Sequence, residues 1–137
     1  MKRKLCALAL LAAVMPAQAR AATLSDAEAM FLDQFVTAAT VLAHRCTGYE
    51  FNGAGGVQIG ARLLGSADAA MAMIEAFDAA IKAHDGNPYD PRKFRREVFE
   101  AAGTTASRVL AALAKNPDAA CAAYGDISVD RGLLRRH

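Results

Sequence analysis

The residues with the most evident capacity for chemistry in this chain are oxygen donors between positions 75 and 90. Glu75 and Asp78 stand one helical turn apart, and Asp85 follows Asp78 by seven residues, so a helix would carry all three on one side. The segment His84-Asp85-Gly86-Asn87-Pro88-Tyr89-Asp90 then places Asp85, Asn87 and Asp90 within six residues. Carboxylate and amide oxygens at that density suit a hard cation of the calcium or lanthanide type. The spacing is not that of an EF-hand, whose twelfth loop position holds a bidentate acid and here falls on Arg96. A surface site of this kind would leave coordination positions open to water or to a second molecule, which offers a route to a metal-bridged homodimer. The competing reading of the same residues is a helix end, a turn, and Asp90 as the cap of the next helix.

Other patterns carry less. Gly53, Gly55, Gly56 and Gly60 suggest a phosphate cradle, but no buried strand precedes them and no Gly-Lys-Ser/Thr follows, so they read as a loose turn. In Arg92-Lys93-Phe94-Arg95-Arg96, Lys93 would face Glu97 and Arg96 would face Glu100 at i, i+4, which makes a solvated helix face of the basic run. His44, His84 and His137 lie far apart and have no spaced cysteine or carboxylate to complete a zinc set. A Ser-His-Asp combination can be drawn from almost any chain of this size and is not evidence of a triad. The expectation is a protein with no catalytic residue.

Three cysteines remain, and their meaning depends on the first twenty residues. Lys2, Arg3 and Lys4 precede an uncharged apolar run from Leu5 to Met15, and Pro16 leads into Ala17-Gln18-Ala19, a small-x-small cleavage site. Residues 1–19 therefore read as a signal peptide, with cleavage as far as 22 also compatible. The apolar run is too short to span a bilayer, so no membrane span is expected after cleavage. Cys6 leaves with the signal, and the exported chain keeps Cys46 and Cys121. In an oxidising compartment such as the periplasm, an even pair in a small domain is most simply one disulfide. Loss of the three basic residues also takes the 16 Lys and Arg to 13, against 14 Asp and Glu. A near-neutral exported chain has no global charge with which to attract nucleic acid.

The elements that would position these groups are helical throughout. Ser25-Asp26-Ala27-Glu28 is a capping box, and the apolar positions behind it (Met30, Phe31, Phe35, Ala38, Leu42, Cys46) repeat at helical spacing, predicting a helix over 25–46. Val57 to Leu64 predicts a short helix closed by Gly65. Ser66 caps another, with Ala70, Met73, Phe77 and Ile81 on one face and Gly86 past its end. Asp90-Pro91 and Asn116-Pro117 each read as a cap followed by proline at the first helical position. The first of these opens a helix through Leu113 that Gly103 would kink, and the second a short one stopped by Gly125. No strand pattern of useful length is present. The fold expected is all-α: a compact bundle of four or five short helices with one disulfide, spanning 24–125, followed by an irregular tail over 126–137.

The pattern Cys121-Ala122-Ala123-Tyr124-Gly125 followed by Gly132-Leu133-Leu134-Arg135 resembles the tails of small exported bacterial helical proteins of unknown function. Cys46-Thr47-Gly48-Tyr49 with a nearby glycine is similar to the first-cysteine region of periplasmic amidase-immunity proteins of type VI secretion systems, with Gly53 one position later than in that family. The first resemblance implies no activity, and the second implies a class, proteins that bind and inhibit another protein. Together with the absence of a catalytic motif they lead to the expectation of a non-catalytic periplasmic interaction module (inhibitor, immunity or chaperone-like) whose partner is an envelope protein. The hard-cation protein is the alternative. The cysteine reading is directly testable: alkylation of the denatured, unreduced exported protein is expected to label no thiol, and labelling of both cysteines would refute the disulfide.

Overall fold

Ser25 opens the first helix with an extended backbone, and its Oγ accepts the Glu28 N–H at 3.1 Å. The Glu28 side chain does not complete the expected capping box. Its carboxylate is drawn instead to Arg95, 67 residues away. Helix α1 (Asp26–Val36) continues unbroken through a π-helical stretch (Thr37–Leu42) into a closing turn, α2 (Ala43–Arg45), so one rod covers the expected span. Where the π stretch begins, the Thr37 hydroxyl donates to the Asp33 carbonyl at 2.7 Å, beside the Thr37 backbone N–H that bonds the same oxygen. In a π turn residues five apart stack on one another, and Val36 and Val41 are both buried.

The computed structural model describes residues 23–137, and the expected signal peptide, residues 1–19 with cleavage up to 22, lies outside them. After the rod come β1 (Tyr49–Phe51), α3 (Gly53–Leu64), α4 (Ala67–His84), α5 (Arg96–Lys115), α6 (Pro117–Asp130) and β2 (Leu134–Arg136). Counting α1, the π stretch and α2 as one, five helical rods make an all-α bundle with a two-stranded ribbon at one end. Its core is gathered on the first rod: Phe35 stacks edge-on against Phe51 and Phe77, with ring centroids 5.3 and 5.6 Å away, and Phe31 lies 5.5 Å from Phe35. Cys46 and Cys121 are bonded across a sequence separation of 75, joining the end of that rod to α6. Closing so long a loop stabilises the folded chain by about 4 kcal/mol in the chain-entropy model. Among the described residues no helix is long and apolar enough to cross a membrane.

Several expectations change in the folded chain. The glycines from Gly53 onward are not a loose turn but the first two turns of α3. A side chain at Gly55 would strike the Gly132 carbonyl at 1.8 Å, so glycine here lets the C-terminal segment lie directly on the helix. Asp90-Pro91 does not open α5. It caps a single turn, Pro91 to Lys93, and the helix starts five residues after Pro91, at Arg96. Gly103 neither kinks nor splits α5, which runs unbroken to Lys115. Gly125 does not stop α6 but lies inside it, with the ring of Tyr49 occupying the space a side chain would need.

The largest correction concerns residues 126–137, which are not an irregular tail. Helix α6 carries on to Asp130, Gly132 turns with φ 78°, and β2 pairs antiparallel with β1, Tyr49 opposite Arg136 and Phe51 opposite Leu134. Asn52 is the clasp. Its backbone N–H donates to the Leu133 carbonyl at 2.8 Å, its side-chain amide donates to the Gly132 carbonyl at 3.0 Å, and its Oδ1 accepts from Arg135 at 2.7 Å. Between these bonds Leu133 and Leu134 are buried in the main core. Burying a leucine is worth about 1.5–3 kcal/mol, enough to order a short segment whose own propensities specify little. Leu133→Ala is therefore expected to destabilise the protein by about 2–5 kcal/mol in urea unfolding, as a core truncation does, and an effect below about 0.5 kcal/mol would show that the segment is not part of the fold.

Candidate functional site: the α4–α5 junction

The residues singled out for metal binding all lie on α4 and on the loop after it. Helix α4 ends at His84. Gly86 takes φ 73°, and the Asn87 N–H returns to the Lys82 carbonyl at 2.8 Å, the closure that glycine past a helix end permits. Glu75 and Asp78 sit on the exposed side of α4, and each is already paired: Asp78 with Lys82 at 2.8 Å, Glu75 with Lys93 at 3.3 Å. Asp90 Oδ1 accepts the Arg92 N–H at 2.9 Å, and both its oxygens bond the Arg92 guanidinium. Those side-chain bonds first, and the backbone N–H second, hold the Asp90 carboxyl below the usual aspartate range. Asp85 and Asn87 are exposed on the turn. The fold does not draw these five residues together: among the described residues no group of three or more His, Cys, Asp or Glu is placed to hold a metal ion.

The same loop does assemble a different feature. His84, Tyr89, Phe94 and Phe99 form a continuous row, with ring centroids 6.3 Å apart for His84 and Phe99, 6.0 Å for Phe94 and Phe99, and 5.3 Å for Tyr89 and Phe94. Tyr89 is 42% exposed and Phe99 37%, and Ile81, one turn before His84, is 37% exposed. Aromatic rings packed on one another and still open to solvent present rigid apolar area at little entropic cost, the composition that protein interfaces favour at their centres. Among the described residues no carboxylate hydrogen-bonds His84.

The row was hidden in the sequence because its members recur every five residues, a spacing that matches neither helix nor strand. A helix from Pro91 would have turned Phe94 inward. The actual start at Arg96 leaves residues 91–95 non-helical and sets Phe94 between Tyr89 and Phe99. Arg95 fixes that start. It is the extended residue before α5, and its guanidinium bonds Glu97 at 2.7 Å and Glu28 of α1 at 2.9 Å. The expected Lys93–Glu97 pair is thereby replaced, with Lys93 going to Glu75 and Glu97 to Arg95, whereas Arg96 and Glu100 pair as their spacing predicts, at 3.1 Å.

No family model matches this chain, and no curated protein or solved structure is significantly similar to it. The site is therefore described by its geometry alone.

The Arg95 bridge makes the junction sensitive to acid. Partial burial would raise the Glu97 carboxyl, but a hydrogen bond from its own backbone N–H and the pairing with Arg95 outweigh it and hold Glu97 below the usual glutamate range. Burial would likewise lower Arg95, and its bonds to Glu97 and Glu28 more than offset that. A carboxyl whose pKa is depressed on folding contributes stability at pH above its unfolded value, near 4.3, and that contribution is lost as pH falls through the folded value. Wild-type protein is therefore expected to exceed Glu97→Gln in urea midpoint near pH 6, with the gap closing as pH falls towards about 3. A gap independent of pH would show that the bridge does not hold the junction.

Proposed function

We propose that this chain is a non-catalytic interaction module of the periplasm, which binds an envelope protein through the aromatic row at the α4–α5 junction. The observation that carries the reading is the row itself: the rings of Tyr89, Phe94, Phe99 and His84 packed one on the next, with Tyr89, Phe99 and His84 exposed and Phe94 half-buried between them. Around it the charges are largely satisfied within the molecule (Asp78 with Lys82, Glu75 with Lys93, Asp90 with Arg92, Arg96 with Glu100), so a partner would meet an apolar centre with a balanced polar rim. The disulfide supports an exported life, because it gives a small domain stability that survives in an oxidising compartment. An inhibitor, immunity or chaperone-like role is the form such binding would take.

The test is site-specific photocrosslinking of the full-length chain expressed in a bacterial envelope. A crosslinking residue at Phe99 or Tyr89 is expected to trap one defined protein. The same probe at Lys115, at the far end of α5, is expected not to trap it. Phe99→Ser combined with Tyr89→Ser is expected to weaken association at least tenfold while the variant keeps the parent's helical circular dichroism at room temperature, since both rings lie at the surface of the bundle. Equal crosslinking from both ends of α5, or turnover of a substrate by the purified chain, would overturn the proposal.

A further inference from the structure

A shallow, open groove lies away from the aromatic row, between α1, α3 and the end of α6. It has a volume of about 420 Å³ and is lined by Gln34, Ile59, Arg62, Leu63, Asp130 and Arg131. Ile59 and Leu63 give it an apolar floor one helical turn wide, and the charged groups stand at its rim. Among the described residues Arg62 and Arg131, like Arg45 and Lys115, have no carboxylate within 4 Å, and Asp130 has no cation within that distance, so that unpaired groups of both signs line this one concavity. Two guanidinium groups and a carboxylate thus line one groove without closing into an ion pair.

Helix stability accounts for the two arginines but not for Asp130. Arg62 is in the last turn of α3 and Arg131 is the residue that ends α6, positions where a cation complements the helix dipole. Asp130 is the last residue of α6, where a carboxylate opposes the dipole, and it has no partner to offset that. Its placement is unfavourable for the fold taken alone and becomes favourable if a cation is delivered to the groove.

We propose that this groove binds a free α-amino acid with an apolar side chain. The α-carboxylate is held by Arg62 and Arg131, whose planar forks match its two oxygens. The α-ammonium is held by Asp130, the side chain lies on Ile59 and Leu63, and the Gln34 amide, which also lines the groove, donates to a carboxylate oxygen or accepts an ammonium N–H. The ligand completes the charge pattern that the protein leaves open, positive at two points and negative at one.

Amide chemical shifts of the ¹⁵N-labelled exported chain, titrated with L-leucine, test the assignment. Leucine is expected to move the Arg62, Asp130 and Arg131 resonances together. Leucine amide and N-acetyl-leucine, which each lack one charge, are expected to bind at least about tenfold more weakly, as the loss of a charge-assisted hydrogen bond implies. Arg62→Gln and Arg131→Gln are each expected to weaken leucine by about tenfold or more, and Asp130→Asn to weaken leucine while leaving N-acetyl-leucine unchanged. All three positions are exposed, so these variants should fold as the parent does. The proposal is overturned if leucine moves none of these resonances at tens of millimolar, if N-acetyl-leucine binds as tightly as leucine, or if the substitutions leave leucine binding intact.

Discussion

The structure depends on covering its first rod. Phe31, Leu32, Phe35, Val36, Ala38, Val41 and Leu42 are all buried, and they point in more directions than one packed neighbour can reach. A helix that is apolar over most of its circumference is stable only when enclosed, so the rest of the chain wraps it: α3 and α5 along α1, α5 and α6 along the π stretch, and β1 with β2 at its end. The π stretch belongs to the same constraint. It shifts the buried stripe by one position and keeps a single face towards α6, where Cys46 meets Cys121.

Around that hydrophobic constraint a small number of polar links set the register of segments that packing alone would leave loose. Asn52 fastens the C-terminal ribbon through three hydrogen bonds, and Arg95 fastens the start of α5 to α1 through Glu28. Asp33 plays a similar part between α1 and α5, accepting from the Thr105 hydroxyl at 3.1 Å and pairing with Arg108. Each link joins residues 67 to 83 positions apart. Exposed pairs such as Arg108 with Asp33 are worth little, but the Asn52–Gly132, Arg95–Glu28 and Thr105–Asp33 bonds are partly buried, and their main effect is to select one arrangement. Among the described residues no buried side-chain polar atom lacks a partner.

The two surface features, the aromatic row and the groove, share no residue. At the α4–α5 junction Tyr89 and Phe94 of the connecting loop pack on each other, and Phe94 packs on Phe99 of α5, which packs on His84 of α4. The groove beside Arg62 is lined by residues of α1, α3 and the end of α6.

Much of the architecture could be read from residue order. The helical spacing on the first rod, the caps at Ser25, Ser66 and Asn116, and the even pair of cysteines are local or nearly local signals, and the helices and disulfide they specify are present. What residue order could not specify was anything decided by a distant partner. Glycines that look like a loose turn became a helix because the Gly132 carbonyl lies against Gly55, and a tail with four scattered apolar residues became ordered because Asn52 and the core receive it. The acids between Glu75 and Asp90 were legible as donors but not as a set, because Lys93 and Arg92 reach Glu75 and Asp90 only once the start of α5 is displaced to Arg96. Propensity and capping act over three or four residues and are written in the chain. The direction of a side chain such as Arg95 depends on a partner such as Glu28, 67 residues away, and only the folded structure supplies that.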